Sequence, residues 1–125
     1  GLPCAAQPYP AKPILFLMPL QAGSAVDVMV RVVAQKMGEG LGQQIVVENQ
    51  PGAAGAIGAE RVKRAAPDGY TLGALNDSIL TMIPNIRQVA YDPVKDFTPI
   101  AESMSPDGLM AHMSEYFEAL ASLII

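Results

Sequence analysis

The feature that most constrains this chain is a threefold alternation of short apolar runs with helical patterns, in units of about thirty residues. PILFLM at 13–18 is a continuous apolar run closed by Pro19, the pattern of a strand buried on both faces. After the turn PLQAGSA, residues Val26, Met29, Val30, Val33, Met37 and Leu41 recur at helical spacing, with Arg31, Gln35 and Lys36 on the other face. Glycine suits the left-handed cap, so this helix is predicted to end near Gly40 or Gly42. QIVVEN (44–49) is short and β-branched, a second strand. PGAAG then opens a second helix, with Ile57, Val62 and Ala65 expected inward and a stop before Pro67-Asp68-Gly69. YTLGAL (70–75) is a third strand, and Asn76-Asp77-Ser78 is N-cap chemistry for a short helix at 79–87.

This order predicts right-handed crossovers and an α/β fold, a three-layer open and mainly parallel sheet with helices on both faces. Such sheets bind ligands outside the carboxyl ends of their strands. The loops at 19–27, 50–57 and 76–79 are therefore where a site is expected.

The flanks read differently. Beyond Tyr91, FTPIA is expected to form a fourth strand or an edge segment. From Ser105, with Pro106 at the first helical position and Asp107 favourable to the dipole, a last helix is expected, with Leu109, Met113, Phe117, Leu120 and Ile124 as its apolar stripe. Residues 1–8, GLPCAAQP, resemble the end of a signal-peptide cleavage region with Ala6 as the last residue before the cut, a hint of export. The division expected is thus a signal remnant or disordered terminus at 1–8, an α/β lobe at 9–104, and at 105–125 a helix packed on that lobe or on a partner protomer.

Several functions are disfavoured. Half the residues are apolar and 16% are charged, the opposite of a disordered composition. A net charge of -4 gives no Lys/Arg excess for phosphate contacts, so no nucleic-acid partner and no polybasic membrane patch is expected. No apolar run reaches the length of a membrane-spanning helix. Cys4 is the only cysteine and His112 the only histidine, and no His/Cys/Asp/Glu cluster has metal-ligand spacing. A G-x-S-x-G elbow is absent, and no nucleophile stands with a base, so the chain is read as a non-enzyme without cofactor or metal.

What remains is anion chemistry. VENQPGAAGAIGAE (46–59) places glycines at 52, 55 and 58, a G-x-x-G-x-x-G spacing that matches neither the dinucleotide fingerprint nor the P-loop. Backbone N–H groups at a helix start free of bulky side chains still suit a small carboxylate, with tight packing as the alternative role, especially for Gly58. In PLQAGSAVD, Gly23, Ser24 and Ala25 offer backbone donors and a hydroxyl, while Asp27 is read as capping and dipole chemistry.

Taken together, YPAKPI, PLQAGSAVD, VENQPGAAGAIGAERV, AAPDGYTL and YDPVKDFTPIA resemble, over residues 9–102, the receptors of tripartite tricarboxylate transporters, the Bug family of periplasmic solute-binding proteins. The resemblance implies one lobe of a two-lobed periplasmic binding protein, a small organic acid as ligand, and the membrane subunits of a tripartite carrier as partner. It places ligand contacts at Ala22, Gly23, Ser24 and Ala25 in the first loop and at Asn76, Asp77 and Ser78 in the third, with Gly52 and Gly55 keeping the second loop's backbone accessible. The chain departs from the family pattern where Ala22, Ser24, Ala25 and Val26 replace much of a glycine run, where Ala54 replaces a glycine and where Ala56 replaces an asparagine. The sequence after residue 102 leads directly to a segment similar to the family's last helix, so a first lobe without the second is expected. A homodimer covering the bare face follows from that, and so does the alternative of a truncated paralogue that oligomerises without high-affinity capture.

Overall fold

Strand β1, Ile14–Met18, is the middle strand of a three-stranded sheet in the computed structural model, which describes residues 7–100. Ile14, Leu17 and Met18 are buried, and so is Pro19 at its end, as expected of a strand covered on both faces. Strand β2, Ile45–Asn49, pairs parallel to one side, from Ile14 opposite Ile45 to Met18 opposite Asn49. Strand β3, Thr71–Gly73, pairs parallel to the other, from Leu15 opposite Thr71 to Leu17 opposite Gly73. The order β2-β1-β3 means that the chain leaves β1 first toward one edge and later crosses to the other. Right-handed connections of opposite direction lie on opposite faces of the sheet, which makes this the three-layer α/β arrangement. β3 is shorter than the 70–75 run, although the ladder extends past it: Leu15 N–H donates to Tyr70 O at 2.9 Å and Ala74 N–H to Leu17 O at 2.9 Å.

Helix α1, Ala25–Leu41, begins at the N-cap Ser24, whose Oγ accepts from Asp27 N–H at 3.1 Å. It runs through Gly40 and stops at Gly42, which takes φ 68° and returns its N–H to Gly38 O at 2.9 Å. Its buried stripe is Val30, Ala34 and Met37, flanked by half-buried Met29, Val33 and Leu41. Val26 is on the exposed side instead, because the buried Asp27 takes the inward position in the first turn.

A larger difference lies in the second helix, α2, Ala56–Arg64. Its inward face is Gly58 and Ala59, while Ile57, expected inside, is 48% exposed. Space decides this rather than hydrophobicity. A Cβ on Gly58 would lie 2.8 Å from the Pro19 ring and 3.0 Å from Gln50 O, so only a residue without a side chain fits the contact with the end of β1. The phase of the helix is set by the turn before it. Gly52, Ala53, Ala54 and Gly55 carry φ of 137°, 46°, 55° and 92°, four consecutive positive values through a single 3-10 turn. For Ala53 and Ala54 that conformation costs about 1–2 kcal/mol each.

The short helix expected at 79–87 forms in two pieces: a turn of π-helix at Ser78–Met82, then helix α3 at Ile83–Ile86. Buried Tyr91 pins the first piece by donating its hydroxyl to Ile79 O at 2.6 Å. Ala59, Ile79 and Tyr91 form a core cluster against which Leu75, Val89 and Phe97 pack. No strand forms over residues 97–100, the described part of FTPIA, where exposed Thr98, Pro99 and Ile100 are without a ladder. Residues 1–6, with Cys4 and Ala6, and the helix expected from Ser105 lie outside the described residues.

Candidate functional site

All three expected loops leave the carboxyl ends of their strands, and they meet at one residue. Gly55 of the second loop is buried, and a Cβ there would lie 2.5 Å from Ile79 Cδ1 and 3.4 Å from Pro19 O, in contact with the third and first loops at once. Its N–H donates to Gly52 O at 2.9 Å. Gly52 is half-buried and its missing side chain makes room for Ile57, 2.9 Å from the Cβ position. In this arrangement Gly52 and Gly55 shape the floor between the loops. Arg87 closes the far side, donating from Nη1 to Ala53 O at 3.2 Å.

In the first loop Ala22, Gly23 and Ala25 are exposed and Ser24 is half-buried. The start of α1 leaves the N–H groups of Ser24, Ala25 and Val26 with no acceptor within the helix, directed out of its positive end. Gly23 N–H is already used: it donates to Asp27 Oδ2 at 2.9 Å, with Gly23 at φ 84°. Beneath it lies the most connected polar group of the described residues. Asp27 is 4% exposed. Its Oδ1 accepts from Asn49 Nδ2 at 2.9 Å, and both oxygens accept from Arg31 Nε at 3.2 Å. Asn49 in turn donates to Leu20 O at 3.1 Å and accepts from Arg31 Nη2 at 2.7 Å. The Gly23 amide, then Asn49 and Arg31, hold the Asp27 carboxyl down to about 2, against an ordinary 3.8. Asn49 and Arg31 are absent from the residues that sequence reasoning singled out for the site; the only signal was a polar residue closing an apolar strand.

The third loop is organised by Asn76. Its Oδ1 accepts from Ser78 Oγ at 3.0 Å and from Ile79 N–H at 3.1 Å, which caps the π-turn as its side chain suggests. Asp77 is exposed beside it. The expected residues of the first and third loops therefore stand at the same end of the sheet, around Pro19, Gly55 and Ile79. An open recess of about 480 Å³ at Ala34, Gln35, Gly38, Gln43 and Gln44 belongs to the opposite end, at the turn from α1 into β2. No group of three or more His, Cys, Asp or Glu among the described residues is placed to hold a metal.

The three loops gather at the point where strand order reverses, the usual place for a ligand in an open α/β sheet. The family model for the tripartite tricarboxylate transporter family receptor matches residues 29–124. The chain belongs to that receptor family.

The resemblance to tripartite tricarboxylate transporter receptors extends to individual proteins. The chain is 40% identical over 102 residues to the UPF0065 protein of the TAR-I ttuE-ttuC' intergenic region of Agrobacterium vitis, covering 79% of this chain and 30% of that one. Among solved structures, a periplasmic transporter matches at 45% identity and TM-score 0.73 over 75% of this chain and 32% of its own. MatC from Rhodopseudomonas palustris with bound malate matches at 36% and 0.70, over 74% of this chain and 32% of its own. A second R. palustris protein, solved with adipate, matches at 25% and 0.68 over 86% of this chain and 42% of its own. The chain thus spans about a third of the length of the first relatives it matches. Receptors of this family are periplasmic binding proteins without enzymatic activity, and they serve tripartite transporters.

Proposed function

We propose that this chain forms the part of a periplasmic solute receptor that receives one carboxylate of a small organic acid, for delivery to the membrane subunits of a tripartite tricarboxylate-type transporter. The observation that carries this reading is the start of α1. Ser24, Ala25 and Val26 present N–H groups free of intrahelical partners at the same end of the sheet as Asn76, Asp77 and Ser78, at the switch point between β1 and β3. A carboxylate seated there accepts backbone hydrogen bonds and gains from the helix dipole without a cationic side chain. Malate and adipate in the related structures are dicarboxylates, consistent with one carboxylate per set of loop donors.

The test is a thermal-shift and calorimetric titration with malate, adipate and a panel of dicarboxylates and amino acids. At a ligand concentration one hundred times Kd, the fold should gain about 2.7 kcal/mol. No shift with any acid sinks the reading. The second reading, an oligomerising protein without high-affinity capture, draws on Met82, Ile86 and Val94, which are 52%, 70% and 84% exposed. A homodimer through such surfaces is then expected, and a monomer mass by light scattering at micromolar concentration would remove it.

A further inference from the structure

The Ser24 hydroxyl already caps α1 by accepting from the Asp27 N–H, so the buried Asp27 carboxylate requires another reason. Asp27, Asn49 and Arg31 together grip two backbone atoms of the first loop: Leu20 O through Asn49, and Gly23 N–H through Asp27. These atoms stand on either side of Gln21 and Ala22, and Asn49 belongs to the end of β2, so the grip ties the loop to the sheet rather than to its own helix alone. We propose that Asp27, with Asn49 and Arg31, is a positioning group that holds the loop from β1 to α1 in its ligand-receiving shape before any ligand arrives. This rests on the reading that the first loop receives a carboxylate.

Both oxygens of Asp27 are occupied from within the protein, by Gly23 and Arg31 on Oδ2 and by Asn49 and Arg31 on Oδ1. It therefore acts on the ligand through the loop. Its charge works against an anion bound at the same helix end, although Arg31 offsets part of that. The two effects have opposite signs, which makes Asp27→Asn discriminating. Asparagine removes the negative charge while keeping the size. Whichever way it is turned, its amide faces a donor, Gly23 N–H or Asn49 Nδ2. If charge alone mattered, malate would bind Asp27→Asn more tightly; if the loop is held by this carboxylate, binding weakens.

The experiment uses the full chain and follows the Gly23 amide by NMR together with malate and adipate affinity by calorimetry. In the ligand-free wild type the Gly23 amide should be protected, and in Asp27→Asn it should exchange about tenfold faster or more, the loss expected when a charge-assisted hydrogen bond goes. Its chemical shift should titrate with a midpoint near 2, the value held by the Asp27 carboxyl that accepts from it. Malate affinity should fall by about tenfold or more. Asn49→Ala, which leaves Asp27 bonded to Gly23 but frees Leu20 O, should give a smaller loss of the same sign and serves if Asp27→Asn does not fold. Equal Gly23 exchange in wild type and Asp27→Asn, or unchanged or tighter malate binding by either variant, overturns the proposal. Failure of the wild type to bind any dicarboxylate strikes the functional reading instead, and Gly23 exchange then decides the positioning claim by itself.

Discussion

Replacing Gly55 with alanine should lower the stability of the fold by about 2–4 kcal/mol, one of the largest losses available from a single added methyl. Two costs combine. At φ 92° an L side chain is strained by about 1–2 kcal/mol. The new Cβ would also fall 2.5 Å from Ile79 Cδ1 and 2.7 Å from Cγ1. Ile79 is 1% exposed and has no empty space to turn into, so overpacking adds about 1–3 kcal/mol. The reduced freedom of the unfolded chain returns less than about 1 kcal/mol. Urea melts should therefore show a lower midpoint at unchanged slope, and heating a midpoint at least about 10 °C lower. Gly40→Ala is the matched control: its Cβ would meet open space within α1, so it should stabilise by about 0.5–1 kcal/mol. A Gly55→Ala protein within about 0.5 kcal/mol of wild type would refute the convergence of the three loops at this residue.

That convergence marks the boundary between what was legible in the sequence and what was not. Strand and helix order followed from apolar periodicity, and the end of α1 followed from glycine at the left-handed cap, realised at Gly42. Asn76 caps as its side chain suggests, because capping is a contact over two or three residues, whereas the Ser24 hydroxyl, expected to face an anion, caps α1. Ile57 failed for a physical reason. Periodicity ranks residues by hydrophobicity, whereas the inner face of α2 is chosen by the distance to Pro19 and Gln50, which admits only Gly58. The spacing of Gly52, Gly55 and Gly58 differs from that of a phosphate loop, but it gives no indication that Gly55 touches Ile79.

Asp27 illustrates the same limit at the site. Its place in the first turn of α1 identifies a cap-region acid, yet its burial and bond network depend on Asn49, 22 residues away on another element. Such a pair exists only once β1 and β2 are in register, with Met18 opposite Asn49. The register therefore does more than build a sheet. It delivers the asparagine amide to Leu20 and Asp27, and through them fixes where the first loop's N–H groups point. In acid this support is lost in a defined window. A carboxyl lowered from 3.8 to about 2 by folding adds stability that is complete above its unfolded value and disappears as pH falls through about 2.

The second large effect is expected at the other side of the Gly55 contact. Ile79→Ala should destabilise by about 2–4 kcal/mol, since the side chain fills the space between Gly55, Ala59 and Tyr91 and its removal leaves a cavity. The Tyr91 hydroxyl bond should survive, because its acceptor is the backbone oxygen of Ile79. The double variant carries the sharper test. In a Gly55→Ala background the isoleucine is the atom group in the way, so truncating it removes a clash as well as a contact. The combined loss should fall short of the sum of the single losses by about 1 kcal/mol or more, measured as a double-mutant cycle in urea. Strict additivity would mean that Gly55 and Ile79 do not touch, and the second and third loops would then have to be held together by some other contact. If the coupling is found, the isoleucine in the first half of the π-turn is also what keeps the Asn76 cap seated on the second loop, and the floor between the loops is a packing contact before it is a binding site.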